Sequence, residues 1–301
     1  MDYKKNKPTM KLTSIIFLAF CSFFFQSCKK SNDSGGASAY VNFIFKFDST
    51  QARLNGIGQP SLMPPGHAGQ SPRFNSMSAH YLELAPGATT PLGTGSVLYR
   101  APETTAGGGV AAIDFSKAYF AGNNEIFLSG PVVNVPVGTY NWLRVSLAYQ
   151  NYNVNLNALG QNIDATVASF IGFNTYITSF KVKDSTINVN ANKLQGYWAV
   201  EGHVPGFGFV SSGQSAPGAT TVPNPIFATS PIPAGSCVVT GQFASPLVIT
   251  GKETTTINIV VSLSTNKSFE WIDTNANGVY EPLLGEQVVD MGIRGMIPIK
   301  L

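Results

Sequence analysis

The chain reads as an all-β protein, an antiparallel β-sandwich with long loops. Three observations carry that expectation. Apolar residues alternate with polar ones at period two in several short runs. Stretches rich in alanine, leucine, lysine and glutamate are missing, while 30 glycines and 19 prolines punctuate the chain. Short strands joined by polar loops, without helical crossovers, pack most simply as two facing sheets.

Val41, Phe43, Phe45 and Phe47 alternate with Asn42, Ile44, Lys46 and Asp48 and mark the first strand. Residues 49–73, with Gly56, Gly58, Pro60, Pro64, Pro65, Gly66 and Pro72, read as a long loop. Residues 76–84 give a second strand, with Met77, Ala79, Tyr81 and Glu83 on one face; Pro86 ends it. Short strands are expected at 96–99, 110–115 and 125–128. A turn at 135–140 feeds a clear strand. There Leu143, Val145, Leu147 and Tyr149 face one way and Trp142, Arg144 and Ser146 the other. β-Branched and aromatic residues make 167–173 and 176–182 strands, and 196–201 adds another. Residues 205–235, rich in Gly, Pro, Ser and Thr, read as a surface loop. Strands at 238–243, 247–250 and 256–264 follow, the last with Ile257, Ile259, Val261 and Leu263 alternating, and 291–299 forms the C-terminal strand. One sandwich over 40–301 is expected; the alternative is two smaller ones divided near 157–161.

Lys4, Lys5, Lys7 and Lys11 precede an apolar run over 15–25. That run is shorter than the roughly 20 residues a membrane-spanning helix needs. Basic head, short apolar core and Ser27 together read as a cleavable signal peptide, residues 1–27. The segment Phe25-Gln26-Ser27-Cys28 resembles the lipobox of bacterial lipoproteins, although that pattern prefers Leu at Phe25 and a small residue at Gln26. The resemblance implies acylation of Cys28 and a membrane partner held through that anchor. It also implies an address in a Gram-negative cell envelope, at the outer membrane. Residues 28–39 then serve as a flexible tether.

Residues 1–27 hold four of the 19 basic residues and one of the 16 acidic ones, which leaves the remainder with fifteen of each. No basic stripe is left to neutralise phosphates, so nucleic acid is not an expected partner. Of the three cysteines, Cys21 leaves with the signal peptide and Cys28 takes the lipid. Cys237 is then alone and reads as a buried small hydrophobe.

Asp273-Thr274-Asn275-Ala276-Asn277-Gly278-Val279-Tyr280-Glu281 resembles the start of an EF-hand or dockerin-type calcium loop. Oxygens at alternate positions converge on one hard cation, and the glycine permits the sharp turn. The resemblance implies that Asp273, Asn275 and Asn277 give side-chain oxygens to a structural Ca²⁺. Val279 would give its carbonyl, and Glu281 would bind directly or through water. The bidentate glutamate of the pattern falls at Leu284, so Glu286 substitutes only if the chain folds back. The competing reading is a β-hairpin turn at Asn277-Gly278.

His67 and His80 are candidate copper ligands. The opening strand, Ser78-Ala79-His80-Tyr81-Leu82 and the turn Pro136-Val137-Gly138-Thr139-Tyr140 resemble periplasmic MbnP-type copper-associated β proteins. Trp142, Arg144, Tyr149 and Tyr152, near Asn151, Asn153 and Asn155, are candidates for glycan or peptide recognition. The sequence contains no Gly-x-Ser-x-Gly elbow, His-Glu-x-x-His helix or phosphate-binding Walker loop. The expected function is therefore a non-enzymatic binding module for a glycan, peptide or protein. Copper handling and an envelope hydrolase are the alternatives.

Overall fold

The computed structural model describes residues 39–204, 206–216, 224–229 and 235–301. The expected signal peptide, Cys28 and the tether up to residue 38 lie outside the described residues.

The fold is all-β. Its strands are β1 (Tyr40–Asp48), β2 (His67–Gln70), β3 (Arg73–Ala85), β4 (Ser96–Arg100), β5 (Glu103–Thr104) and β6 (Ala112–Asp114). Next come β7 (Glu125–Pro131), β8 (Gly138–Ala158), β9 (Gln161–Phe170), β10 (Thr175–Lys181), β11 (Thr186–Lys193) and β12 (Tyr197–Val204). The last are β13 (Phe207–Gln214), β14 (Val238–Ile249), β15 (Ile257–Ser264), β16 (Phe269–Ile272), β17 (Val288–Asp290) and β18 (Met296–Lys300). The largest sheet runs β13-β12-β9-β8-β3-β4, with β14 also paired to β8. Sheets β18-β15-β1-β7, β11-β10-β6-β5 and β17-β16-β2 complete the fold.

The sandwich core lies between β1 and β15 on one side and β3, β8 and β14 on the other. Phe43, Phe45, Ile259, Val261 and Leu263 meet Met77, Leu82, Leu84, Leu143, Val145 and Leu147 there, all buried. The alternation in 41–47 and 257–263 is what creates the first of these two surfaces. Not every pairing is antiparallel. β1 runs parallel to β15, from Val41 opposite Ile257 to Asp48 opposite Ser264, and β6 runs parallel to β10. No hairpin forces β1 and β15 into opposite directions, because most of the chain lies between them.

Two of the three bulges between β3 and β8 set which residues face the sandwich core. In β3, Ala79 pairs with Leu147 and Tyr81 with Ser146, so His80 is an extra residue. The inward face therefore passes from Met77 and Ala79 to Leu82 and Leu84, and Tyr81 and Glu83 turn to the other side. In β8, Leu147 pairs with Ala79 and Tyr149 with Ser78, which makes Ala148 extra. Leu143, Val145 and Leu147 share their face with Tyr152, Val154 and Leu156 further on, while Tyr149 packs with Phe170 and Phe180 on the opposite face. A bulge inserts one residue and inverts the alternation beyond it. Gly172 lies against this bulge: a Cβ there would sit 2.5 Å from the Leu147 carbonyl oxygen.

Other expectations shift as well. The loop at 49–73 contains β2, and the loop at 205–235 contains β13. The runs at 238–243 and 247–250 are one strand, β14, with a register shift between Gln242 and Leu247. β11 was not expected from its polar sequence, and the C-terminal strand expected at 291–299 is the shorter β18, with the unexpected β17 just before that run. Residues 157–161, the alternative domain boundary, are the tip of the β8–β9 hairpin, where Ala158 pairs with Gln161.

Candidate functional site

Along the second half of β8 the inward face continues across β9, β12 and β13. Tyr152, Val167 and Val200 stand level, as do Val154 and Ala165, then Leu156 and Ile163. The elements facing them are β16, β17 and the single turn of 3-10 helix at Pro282–Leu284. These do not fill the space. A cavity of about 1100 Å³ remains, lined on the sheet side by Val154, Leu156, Ile163, Val167, Trp198, Val200, Phe207 and Phe209. Phe269, Tyr280, Leu283, Val288 and Met291 form the other wall. The polar lining is His67, Gln161, Ser211, Ser215, Gln287 and the Tyr280 hydroxyl, and no Lys, Arg, Asp or Glu is among the lining residues. Burial pushes the Tyr280 hydroxyl up to about 12, with the Glu286 carboxylate adding to the shift, so Tyr280 keeps its proton.

His67 lines this cavity and is held from behind. Its Nδ1 lies 2.7 Å from Oε1 of fully buried Glu270. A carboxylate only accepts, so Nδ1 carries the proton. Glu270 also takes Arg53 Nη2 at 2.5 Å and lies 3.7 Å from Arg294, which pairs with Asp290 at 2.8 Å. This buried network joins β2, β16 and β17. His80 belongs elsewhere. Its Nε2 meets Glu103 Oε1 at 3.0 Å and its ring stacks on Phe173. Burial pulls its pKa below the ordinary value, although Glu103 opposes that shift. The two candidate copper ligands thus engage different glutamates in different sheets and do not converge.

The candidate recognition patch is also undone. Arg144 is fully buried and pairs with equally buried Glu83 at 3.0 Å. It further donates to Thr240 Oγ1 and the Ala88 carbonyl, while Glu83 accepts from the Gly93 and Gly95 N–H groups. Tyr149 and Tyr152 are buried in separate aromatic clusters. Burial raises the Tyr149 hydroxyl to about 12 and the Tyr152 hydroxyl well above its usual value. Only Trp142 is partly exposed, so these four form no recognition surface.

The polar loop is ordered by its own side chains. Asp273 accepts from the N–H groups of Asn277 (3.3 Å) and Gly278 (2.8 Å). Asn275 Oδ1 accepts from Asn277 N, and Asn277 Oδ1 from Val279 N. Both Asn amides donate to Glu281 Oε2, at 2.7 and 2.8 Å. Ala276 and Gly278 take positive φ, 58° and 71°, which closes the turn. The chain does fold back: buried Glu286 accepts from Thr274 N and Glu281 N, so its carboxylate stands beside the loop while Leu284 is exposed.

A second set of cation-type ligands was not foreseen. Asp184, Glu201 and His203 bring ligand atoms within 4.8 Å of one another, the one such group of three or more among the described residues. Glu201 and His203, two apart on β12, share the face opposite the cavity; that spacing was the available signal. Glu201 has a structural task as well. Its Oε2 accepts three N–H groups, from Lys183, Asp184 and Ser185, at 3.0 to 3.1 Å. Burial pushes this carboxyl up, but those donors outweigh it and hold it below the ordinary value. Cys237 is buried and its thiol is pushed up to about 12 by that burial, in keeping with a packing role.

Comparison with protein-family models, with curated proteins and with solved structures gives no match for this chain.

Proposed function

We propose that the chain is an outer-membrane lipoprotein, tethered through Cys28, that binds a bulky, uncharged, apolar ligand in the cavity between β8–β9–β12–β13 and β16–β17. One observation carries the reading: a space of about 1100 Å³ whose lining is apolar and without a charged side chain. That is slightly above the roughly 300–1,000 Å³ typical of small-molecule sites, room for a bulky ligand. An ionised group buried there would lack a counter-charge and cost several kcal/mol, on the order of the penalty for any unpaired buried ion. Apolar surface gains about 25 cal/mol per Å² on entering it. A glycan, one of the ligands first expected, would leave most of its hydroxyls unpaired against this lining.

The test is organic extraction of full-length protein purified from membranes, followed by mass spectrometry. An apolar species should accompany the native chain and be depleted from Val200→Trp, which narrows the cavity. Equal recovery from both proteins would remove the cavity as its container.

We infer in addition that the Asp273 loop holds a structural Ca²⁺. Its support is a donor set of Asp273, Asn275, Asn277 and Glu281 on one turn, with the Glu286 carboxylate alongside. With so few acids, affinity falls on the order of 0.1 to 1 mM. Millimolar Ca²⁺ should raise the melting temperature over chelator, and Asp273→Ala should abolish the rise. A response to Ca²⁺ that survives Asp273→Ala would place the ion elsewhere.

A further inference from the structure

The mouth of the cavity is ringed by large apolar side chains that are exposed among the described residues. Leu159 is 89% exposed, Phe207 64%, Leu283 64% and its neighbour Leu284 62%. The first three also line the cavity. They come from three separate turns that the fold gathers at one end. Glu201 pairs with Thr166, so three residues onward in β12, Val204 comes level with Ile163, three residues back in β9. The β8–β9 tip bearing Leu159 therefore stands beside Phe207, which pairs with Val204. The Asn157 N–H donates to the Tyr280 carbonyl at 2.8 Å, which brings the turn bearing Leu283 to the same end.

Leu159 is also held in an unusual backbone state. It occupies the first position of a two-residue hairpin turn with φ of 53°, followed by Gly160 at 73°. Such turns favour Asn, Asp or Gly, and a branched apolar side chain there is strained. A strained leucine pointing into water is retained at a cost in both conformation and solvation.

We propose that this rim seats on the surface of an uncharged or zwitterionic lipid bilayer, from which the cavity takes its ligand, a neutral lipid. The inference rests on the reading of the cavity as an apolar-ligand site. Two things select the bilayer as occupant. The rim is continuous with an apolar interior. Segments 158–161, 206–209 and 282–285 carry no Lys, Arg, Asp or Glu, so anionic headgroups gain nothing.

The experiment uses full-length protein reconstituted in phosphatidylcholine vesicles that contain pyrene-labelled diacylglycerol. Energy transfer from tryptophan, Trp198 lining the cavity, reports uptake. The triple variant Leu159→Ser, Phe207→Ser, Leu283→Ser should take up the lipid about tenfold more slowly from vesicles, and Leu284→Ser, at the rim residue outside the cavity lining, should also slow uptake yet bind the lipid equally well from detergent micelles. Leu159→Asn alone should also slow uptake while raising the melting temperature, because Asn suits that turn; this separates the effect from misfolding. Equal uptake rates for native and variant proteins would overturn the rim proposal and leave the cavity reading standing. Failure of the native protein to bind from micelles would overturn both. A change from dimer to monomer in the triple variant with unaltered uptake would assign the rim to a second copy of the chain and overturn the membrane contact.

Discussion

One face of one sheet is treated in two ways along its length. Near the start of β8, Leu143, Val145 and Leu147 are covered by β1 and β15, and the space between is filled by Phe43, Phe45 and Leu263. Near its end, Val154 and Leu156 carry the same kind of side chain on the same face, yet a cavity lies over them. Hydrophobicity alone does not distinguish the halves. The covering element does: two long strands with bulky residues over one half, four- and three-residue strands and a single turn over the other. Core-type residues line a cavity here because the layer that would close over them is short.

The outer face of the near half offers the sharpest way to break this contrast. Arg144→Met leaves Glu83 buried without its cation and should cost about 3–5 kcal/mol in denaturant melts. A loss under about 1 kcal/mol would mean that this region is less tightly closed than its packing indicates. Next in size is a matched pair of truncations. Leu143→Ala, in the filled half, should cost about 2–5 kcal/mol; Leu156→Ala, beside space that already exists, should cost distinctly less. Equal losses would deny the difference between the halves. The smallest effect is on acid tolerance. Burial keeps the folded-state pKa of His80 below its ordinary 6.5. The unfolded chain therefore takes the proton first, and this stability is present above 6.5 and is lost as pH falls below it. Comparing denaturation midpoints at about pH 7.5 and about pH 5.5, His80→Phe should lose less than the native chain on acidification. An identical loss would assign the acid sensitivity to other groups.

The sequence made some of this legible. Val41 to Phe47 and Ile257 to Leu263 declare their faces because the alternation is clean. That β1 and β15 are parallel neighbours is not written locally, since no turn joins them. The bulges at His80 and Ala148 defeated simple alternation: Tyr149 was expected beside Leu147 and lies on the opposite face. β13 escaped notice because Gly208, Ser211, Ser212 and Gly213 resemble loop chemistry, and β13 supplies a cavity wall. The Asp273 turn was visible because its spacing of Asp and Asn is local, and even the return of Glu286 could be framed as a condition. The cavity could not be seen, since Val154, Leu156 and Val200 read the same whether covered or not.

The position of β1 has a mechanical consequence. The first described residue, Ala39, enters directly an interior strand flanked by β15 and β7. Tension applied at that end acts along the strand axis, so the bonds of the eight register pairs with β15 bear the load together rather than opening one by one. A pull on that end therefore meets resistance in shear along this seam, where the same pull would unzip a hairpin edge.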